Sequence, residues 1–291
     1  MKRFRLILGI LIFTAVASAT WYIARGRLNP APRIASEVDA PSSQHSTLEI
    51  TYIANQGVLI SVGDKQVLID GLHREYKPAY AFLPPPQREK IETAKAPFDT
   101  IDLILVSHLH LDHFHPESVG RHLQHNLEAT LVSSQQVTDE VEKNFKGYDA
   151  IKTRVVAATP PLKERVAMKA SGIDFEVLGL RHGNENFRWI QNLGHLIKLG
   201  GKRILHIGDA DTALENFESF KLHEAGIDVA FIPFWFLLDE DGQTLVTKHI
   251  RPKHIIAVHI SPDDAEKVAG QIKQNFPNAV AFTTMLEKRR Y

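Results

Sequence analysis

His108, His110, Asp112 and His113 fall within six consecutive residues of the stretch LVSHLHLDHFHPES, and all four are metal-ligand types. In an extended chain, side chains at i and i+2 point the same way, so His108 and His110 can grip one cation from one side. Asp112 and His113 stand where the chain turns toward a helix, so they can face elsewhere. Donors on two sides of one short loop suggest two metal ions sharing a pocket. His–x–His alone is a weak signal. His–x–His–x–Asp–His at the end of the apolar run IDLILV is a strong one, because few structural needs would gather four such groups. Two divalent ions held close together lower the pKa of a water from about 15.7 to about 7, polarise a substrate oxygen and stabilise the charge that develops on it. The expected reaction is hydrolysis of an ester, lactone, amide or phosphodiester, with no serine or cysteine nucleophile required.

Two ions need further ligands, and these are sought at other strand ends. LGLRH offers His182, RILHIGD offers Asp209 and HIIAVH offers His259. Each is an apolar run followed by one ligand-type residue, and the repetition of that form carries more weight than any single position. Plainer roles stand beside these: Asp209 as a helix N-cap, His182 and His259 as hydrogen-bonded strand-end histidines. His195, inside the alternating NLGHLIKLG, rivals His182 but reads as structural, and His206 reads as packed in the sheet. His115 reads as a surface residue, with contact to a ligand histidine as its alternative. Asp70, before Gly71, either caps a turn or orients a ligand histidine from behind.

The elements that must position these residues are short. LEITYI and GVLISVGDKQVLID read as strands, with Gly63 and its neighbour Asp64 turning the chain between two β-rich runs. IDLILVS is an apolar strand and PESVGRHLQHN a helix opened by Pro116. ATLVSS, IDFEVLGLR, LGHLIKLGGKRILHIGD, IDVAFIP, HIIAVHI and AVAFTTM supply further strands, with helices expected over QQVTDEVEKNF, LENFESFKLHEAG and PDDAEKVAGQIKQNF. Strands that cluster early and then alternate with helices ask for sheets covered by helices on their outer faces.

Lys plus Arg and Asp plus Glu are 34 each in 291 residues, so no strong field selects nucleic acid as a partner. The chain has no cysteine, which excludes disulfides, thiolate ligands and a cysteine nucleophile. The basic MKRFR followed by LILGILIFTAVASATWYIA reads as a signal peptide or membrane anchor over residues 1–24. Ala17-Ser18-Ala19 suits cleavage, while Trp21 and Tyr22 suit retention at a bilayer interface. Either outcome exports the folded part to the periplasm, the cell exterior or the membrane surface. Residues 25–47, rich in Pro, Ser and charge, read as a flexible linker, and the folded domain is expected over 48–291.

From about Leu48 to the carboxyl end, the chain resembles the metallo-β-lactamase superfamily. The motif stands here as HLHLDH, the later glycine-aspartate as IGDAD and the strand-end aspartate as VLIDG. The resemblance implies an α+β fold, a four-layer αββα sandwich of two mixed sheets covered by helices, with the metals at one edge. It implies that His108, His110 and His182 hold the first metal, that Asp112, His113 and His259 hold the second, and that Asp209 bridges. Ligation by nitrogen and carboxylate without thiolate suits two zinc ions, with manganese or iron as alternatives. The style is that of the ascorbate-phosphate lactonase and N-acylphosphatidylethanolamine phospholipase D branches. Those branches carry a Gly-His pair in the first hairpin where this chain reads YIANQGVLI, so their substrates do not transfer.

Substrate features are sparser. The insertion from His73 to Phe98 either walls the pocket or forms a surface loop. Trp235, in PFWFLLDEDG, either lines an apolar pocket or packs in the core. Asn184, Asn186 and Arg188, following His182 directly, could hydrogen-bond a substrate. The leading expectation is a dinuclear zinc hydrolase acting on a small-molecule or lipid-derived substrate. An iron-dependent redox enzyme of dioxygenase type and a non-catalytic binding module are the alternatives.

Overall fold

Period-2 alternation of apolar side chains gives each short strand two usable faces. In the computed structural model, which describes residues 47–291, these runs form two seven-stranded sheets. β1 (Glu49–Ala54), β2 (Gly57–Val62), β3 (Lys65–Ile69), β4 (Leu103–Leu105), β5 (Thr130–Ser133) and β6 (Val155–Ala157) make most of the first. β7 (Arg165–Ala170), β8 (Ile173–Leu180), β9 (Asn192–Leu199), β10 (Lys202–His206), β11 (Val229–Pro233), β12 (His254–Val258) and β13 (Val280–Ala281) make the second, and β14 (Lys288–Arg290) returns to the first. The orders are β14-β1-β2-β3-β4-β5-β6 and β13-β12-β11-β10-β9-β8-β7. The helices are α1 (Pro85–Glu92), α2 (Pro116–His125), α3 (Gln135–Asn144), α4 (Phe234–Leu238), α5 (Glu240–Thr244) and α6 (Ala265–Asn275).

Adjacent residues on a strand go to different layers. Ile50, Val67, Ile69, Leu103 and Leu105 pack with Phe175, Val177, Ile197, Val229 and Phe231 in one buried cluster between the sheets. Leu68 and Ile104, one position along, join Val119 and Leu123 of α2 and Val137 and Val141 of α3. Ala230, Ile232 and Ala257 join Phe236 of α4 and Ile272 of α6 on the other side. Three clusters for three interfaces make the helix–sheet–sheet–helix stack, the expected four-layer α+β sandwich. Each buried large apolar side chain contributes about 1.5–3 kcal/mol relative to exposure, so the inter-sheet layer dominates cohesion.

Strand direction then places the site. β3 to β6 run parallel, as do β10 to β13. The carboxyl ends of β3, β4, β10 and β12 therefore open on one edge, where ligands of such sheets sit.

The structure departs from the sequence reading in several places. LENFESFKLHEAG is not an α-helix but three 3-10 turns, Leu214–Asn216, Glu218–Phe220 and Leu222–Glu224. Phe217, Phe220 and Leu222 are all buried, a spacing that tight turns satisfy better than a helical stripe. Lys221, at φ 48°, breaks the run. The insertion from His73 to Phe98 holds α1, opened by Pro85 and anchored by buried Ile91. The aromatic stretch after β11 forms α4 and α5, continued by a wider π-type turn over Leu245–Ile250. β14 has an all-cationic sequence unlike a strand, and Glu49 on β1 pairs with both Lys288 and Arg290. Signal-peptide or anchor residues 1–24 and the linker up to residue 46 lie outside the described residues. Among the described residues, no helix is long and apolar enough to cross a membrane.

Candidate metal centre

After β4 the chain passes through Ser107 and His108 outside regular structure, then closes a turn in which the His113 and Phe114 amides donate to the His110 carbonyl. That turn projects His110, Asp112 and His113 in different directions before Pro116 opens α2. β8 delivers His182, the loop after β10 delivers Asp209, and the residue after β12 is His259. Two donor groups result, each with its ligand atoms within 4.8 Å of one another: His108, His110, His182 and Asp209, then Asp112, His113 and His259.

Asp209 faces both groups. Its Oδ2 lies 3.8 Å from His108 Nε2, 3.7 Å from His182 Nε2 and 3.5 Å from His259 Nε2, and its Oδ1 lies 3.4 Å from His113 Nε2. Asp112 Oδ2 is 3.4 Å from His113 Nε2 and 3.2 Å from His259 Nε2. Four donors in a tetrahedron about one ion, at bonds of about 2.0–2.1 Å, lie roughly 3.3 Å apart. The Nε2 atoms of His113, His182 and His259 are buried with no hydrogen-bond partner. Donor chemistry, spacing and orphaned nitrogens all fit divalent cations.

The donors are oriented from behind. Asp70, fully buried and held at φ 47°, accepts from Ser107 N at 2.7 Å and Ser107 Oγ at 2.6 Å. Its Oδ2 is also 2.9 Å from His113 Nδ1, which places that proton on Nδ1 and leaves Nε2 free for the centre. Ser107 Oγ, 2.9 Å from His108 Nδ1, does the same for His108. Asp70 therefore contacts both Ser107 and His113 of the second donor group. His182 differs: its Nδ1 accepts from the Asn184 amide at 3.1 Å, a contact that must break for Nε2 to bind a cation as neutral imidazole. Gly208 sits at φ 55°, where a Cβ would come within 2.4 Å of Asn192 Oδ1, the acceptor for the Asp209 amide.

Charge coupling is strong. Burial opposes ionisation of His113, yet Asp209 and Asp112 hold it well above the usual imidazole range. Burial likewise opposes charge on His259, and Asp209 and Asp112 raise it to about 9. Burial would raise both carboxyls, but His113 and His259 keep Asp112 and Asp209 well below the ordinary carboxylate range. These carboxylates demand positive charge, which bound cations would supply directly.

Other expected residues sort clearly. His195 is buried in β9 opposite His206 of β10, and neither belongs to a donor group. His115, at the start of α2, is also outside both groups. A cavity of about 410 Å³ opens over the centre, walled by Tyr80, Phe187, Trp235, Asn184 and Thr212 among others. Trp235 is a wall residue, its indole N–H donated to the Ala210 carbonyl at 3.2 Å. Asn186 is not: it is exposed on a 3-10 turn, and its amide caps onto Asn184 Oδ1 at 2.9 Å. Arg188 is not a free substrate contact, because its guanidinium bonds the His182 carbonyl and Asp211.

Sequence reasoning passed over four contributors. Asn55 Nδ2 donates to Asp112 Oδ2 at 3.0 Å, and Gln56 Nε2 to Asp209 Oδ1 at 2.5 Å. Both lie in the β1–β2 turn, where ANQG signals a turn and Asn55 takes φ 54°. Tyr80 stands edge-on to His259 at 5.4 Å, and Phe187 edge-on to His110 at 4.6 Å. No local pattern marks those two aromatics.

A family model described as a beta-lactamase superfamily domain matches residues 49–259. A UPF0173 metal-dependent hydrolase of Pyrococcus furiosus is 23% identical over 237 residues, covering 77% of this chain and 93% of that protein. The solved metallo hydrolase Igni18 of Ignicoccus hospitalis superposes with TM-score 0.57 at 18% identity, over 84% of this chain and 99% of the other. The di-iron β-hydroxylase CmlA of Streptomyces venezuelae shares the fold at TM-score 0.51 and 15% identity, over 84% of this chain and 54% of the other. With a family match spanning most of its folded length, the chain belongs to the beta-lactamase superfamily.

Proposed function

We propose that this metal-dependent hydrolase works with two divalent cations, zinc by preference, one in each donor group, on an ester, lactone or phosphodiester. The observation that carries the reading is the Asp209 carboxylate, which faces His108 and His182 of one group and His113 and His259 of the other. When bound, two such ions supply an acidified water and a Lewis acid for the substrate oxygen. The chain supplies orientation and proton handling. Asp70 and Ser107 fix which nitrogens of His113 and His108 face the centre. Asn55 and Gln56 pin the carboxylates of Asp112 and Asp209. Asp112, at the cavity wall, is placed to take the proton from the attacking water.

Metal quantification of purified protein, together with Asp209→Ala and Asp112→Asn, tests the reading. Two equivalents of zinc, falling toward one or none in Asp209→Ala, are expected, with turnover lost in both variants. Full activity in Asp112→Asn would overturn the proton role. The CmlA likeness and the nitrogen–carboxylate donor set support a second reading, a di-iron redox enzyme. Iron in the purified protein with oxygen uptake would favour it. A complete donor set weighs against a purely binding role. We also propose export of the catalytic part, on the basic-then-apolar leader, with cell fractionation as its test.

A further inference from the structure

The cavity over the centre has an uneven composition. Phe187 stands edge-on to His110 at 4.6 Å and to His182 at 5.6 Å, over donors of the first group. Trp235 and Tyr80 stand edge-on to His259 of the second group, at 5.2 Å and 5.4 Å. Aromatic rings therefore flank both donor groups of one cavity. Tyr76 stacks parallel to Tyr80 at 6.0 Å and extends that side outward.

Fixed charge is the other half of the pattern. Among the described residues, no lysine or arginine lines this cavity. Beyond the donors its one acidic wall residue is Asp211, whose Oδ2 meets Arg181 Nε and Arg188 Nη1 each at 2.6 Å, so it is already paired within the protein. Lys77 lies outside the walls, 4.7 Å over the Tyr76 ring. The remaining polar wall groups, Asn184 and Thr212, are uncharged. Cations held at the donors would answer the single charge that develops at a reacting carbonyl. A second anionic group on the substrate would meet rings and neutral dipoles, with its water removed and no counter-charge.

We infer that the substrate is a carboxylic ester or lactone on an uncharged, flat apolar body that lies between Phe187 and the Tyr80–Trp235 wall. The inference rests on the hydrolase reading above and narrows it. It excludes sugar phosphates and acids whose carboxylate needs its own cationic anchor. A cavity of about 410 Å³ holds a small molecule of this kind.

The test uses matched probes on the full chain with its metal content measured. 2-Naphthyl acetate is compared with its ring-sulfonated counterpart for kcat/KM. The corresponding ketones, which cannot be hydrolysed, are compared for Kd by calorimetry. The neutral member of each pair is expected to be favoured tenfold or more. Trp235→Leu and Phe187→Leu are each expected to weaken ketone binding about 5- to 20-fold and to shrink that preference. Equal or better handling of the sulfonated members would overturn the inference, even with hydrolysis intact. Turnover of neither ester by metal-loaded protein would overturn the carboxylic-ester chemistry, while the ketone pair would still decide the shape and charge of the cavity's ligand.

Discussion

Replacing Asp70 with asparagine changes one proton pattern and almost no volume. Asp70 is fully buried, and its two oxygens accept from Ser107 N at 2.7 Å, from Ser107 Oγ at 2.6 Å and from His113 Nδ1 at 2.9 Å. An asparagine keeps its Oδ1 for the Ser107 amide. Its NH₂ then points at His113 Nδ1 and Ser107 Oγ, two groups that were donating. The imidazole answers by moving its proton to Nε2, the atom the second donor group needs bare. Removing such an orienting partner weakens a metal site about 10- to 100-fold, or roughly 1.4–2.7 kcal/mol. Asp70→Ala is harsher, because the buried Ser107 and His113 donors lose their acceptor at about 1–3 kcal/mol each. Zinc titration by calorimetry separates the two effects. Asp70→Asn should melt within a few degrees of the parent without metal, yet bind zinc more weakly, through His113 directly and through Ser107 Oγ at His108. Asp70→Ala should lose fold stability as well. Unchanged zinc affinity in Asp70→Asn would refute the reasoning.

Three further expectations follow the same logic. Gln56→Leu removes the 2.5 Å contact to Asp209 Oδ1 and leaves a buried carboxylate oxygen short of a donor, so hydrolysis should fall about tenfold with the fold retained. Unchanged turnover would show the amide to be idle. Stability should fall with acid in a defined window. Burial lowers His195 to about 3 and His122 to about 4, whereas the unfolded chain titrates near 6.5. Both folded pKa values lie below the unfolded one, so between about pH 6.5 and pH 3–4 the unfolded chain binds more protons and stability drops. At pH 5 each histidine accounts for about 2 kcal/mol of that drop relative to pH 8. His113 and His259, raised in the folded state, act in the opposite direction, so urea midpoints at the two pH values are compared between the parent and His195→Leu, whose change from pH 8 to pH 5 should be less destabilising by His195's share; the same change in both proteins would contradict the burial argument. Phe231→Ala, which opens the inter-sheet layer, should cost about 3–5 kcal/mol by the same unfolding assay, and a loss under about 1 kcal/mol would place the core elsewhere.

What could be read in advance follows from how far apart in the chain the interacting groups lie. His108 to His113 are contiguous, and His182, Asp209 and His259 each end an apolar run, so strand-end placement alone proposed the donor set. The layers were legible too, since Val67, Leu68 and Ile69 alternate between two clusters as period 2 demands. Gln56 was not legible, because its partner Asp209 lies 153 positions away and a glutamine in a turn carries no mark of what it will meet. Tyr80 and Phe187 failed for the same reason: an aromatic ring in a loop reads the same whether it covers core or cavity. β14 was not legible either. Lys288, Arg289 and Arg290 argue against a strand on propensity, but β1 offers an open edge and Glu49 offers two oxygens, one to Lys288 and one to Arg290. An edge strand loaded with cations also resists pairing with another chain. Local sequence thus disclosed the clustered donor residues, while the groups packed behind and around them became visible only once distant segments were brought to the same edge of the sandwich.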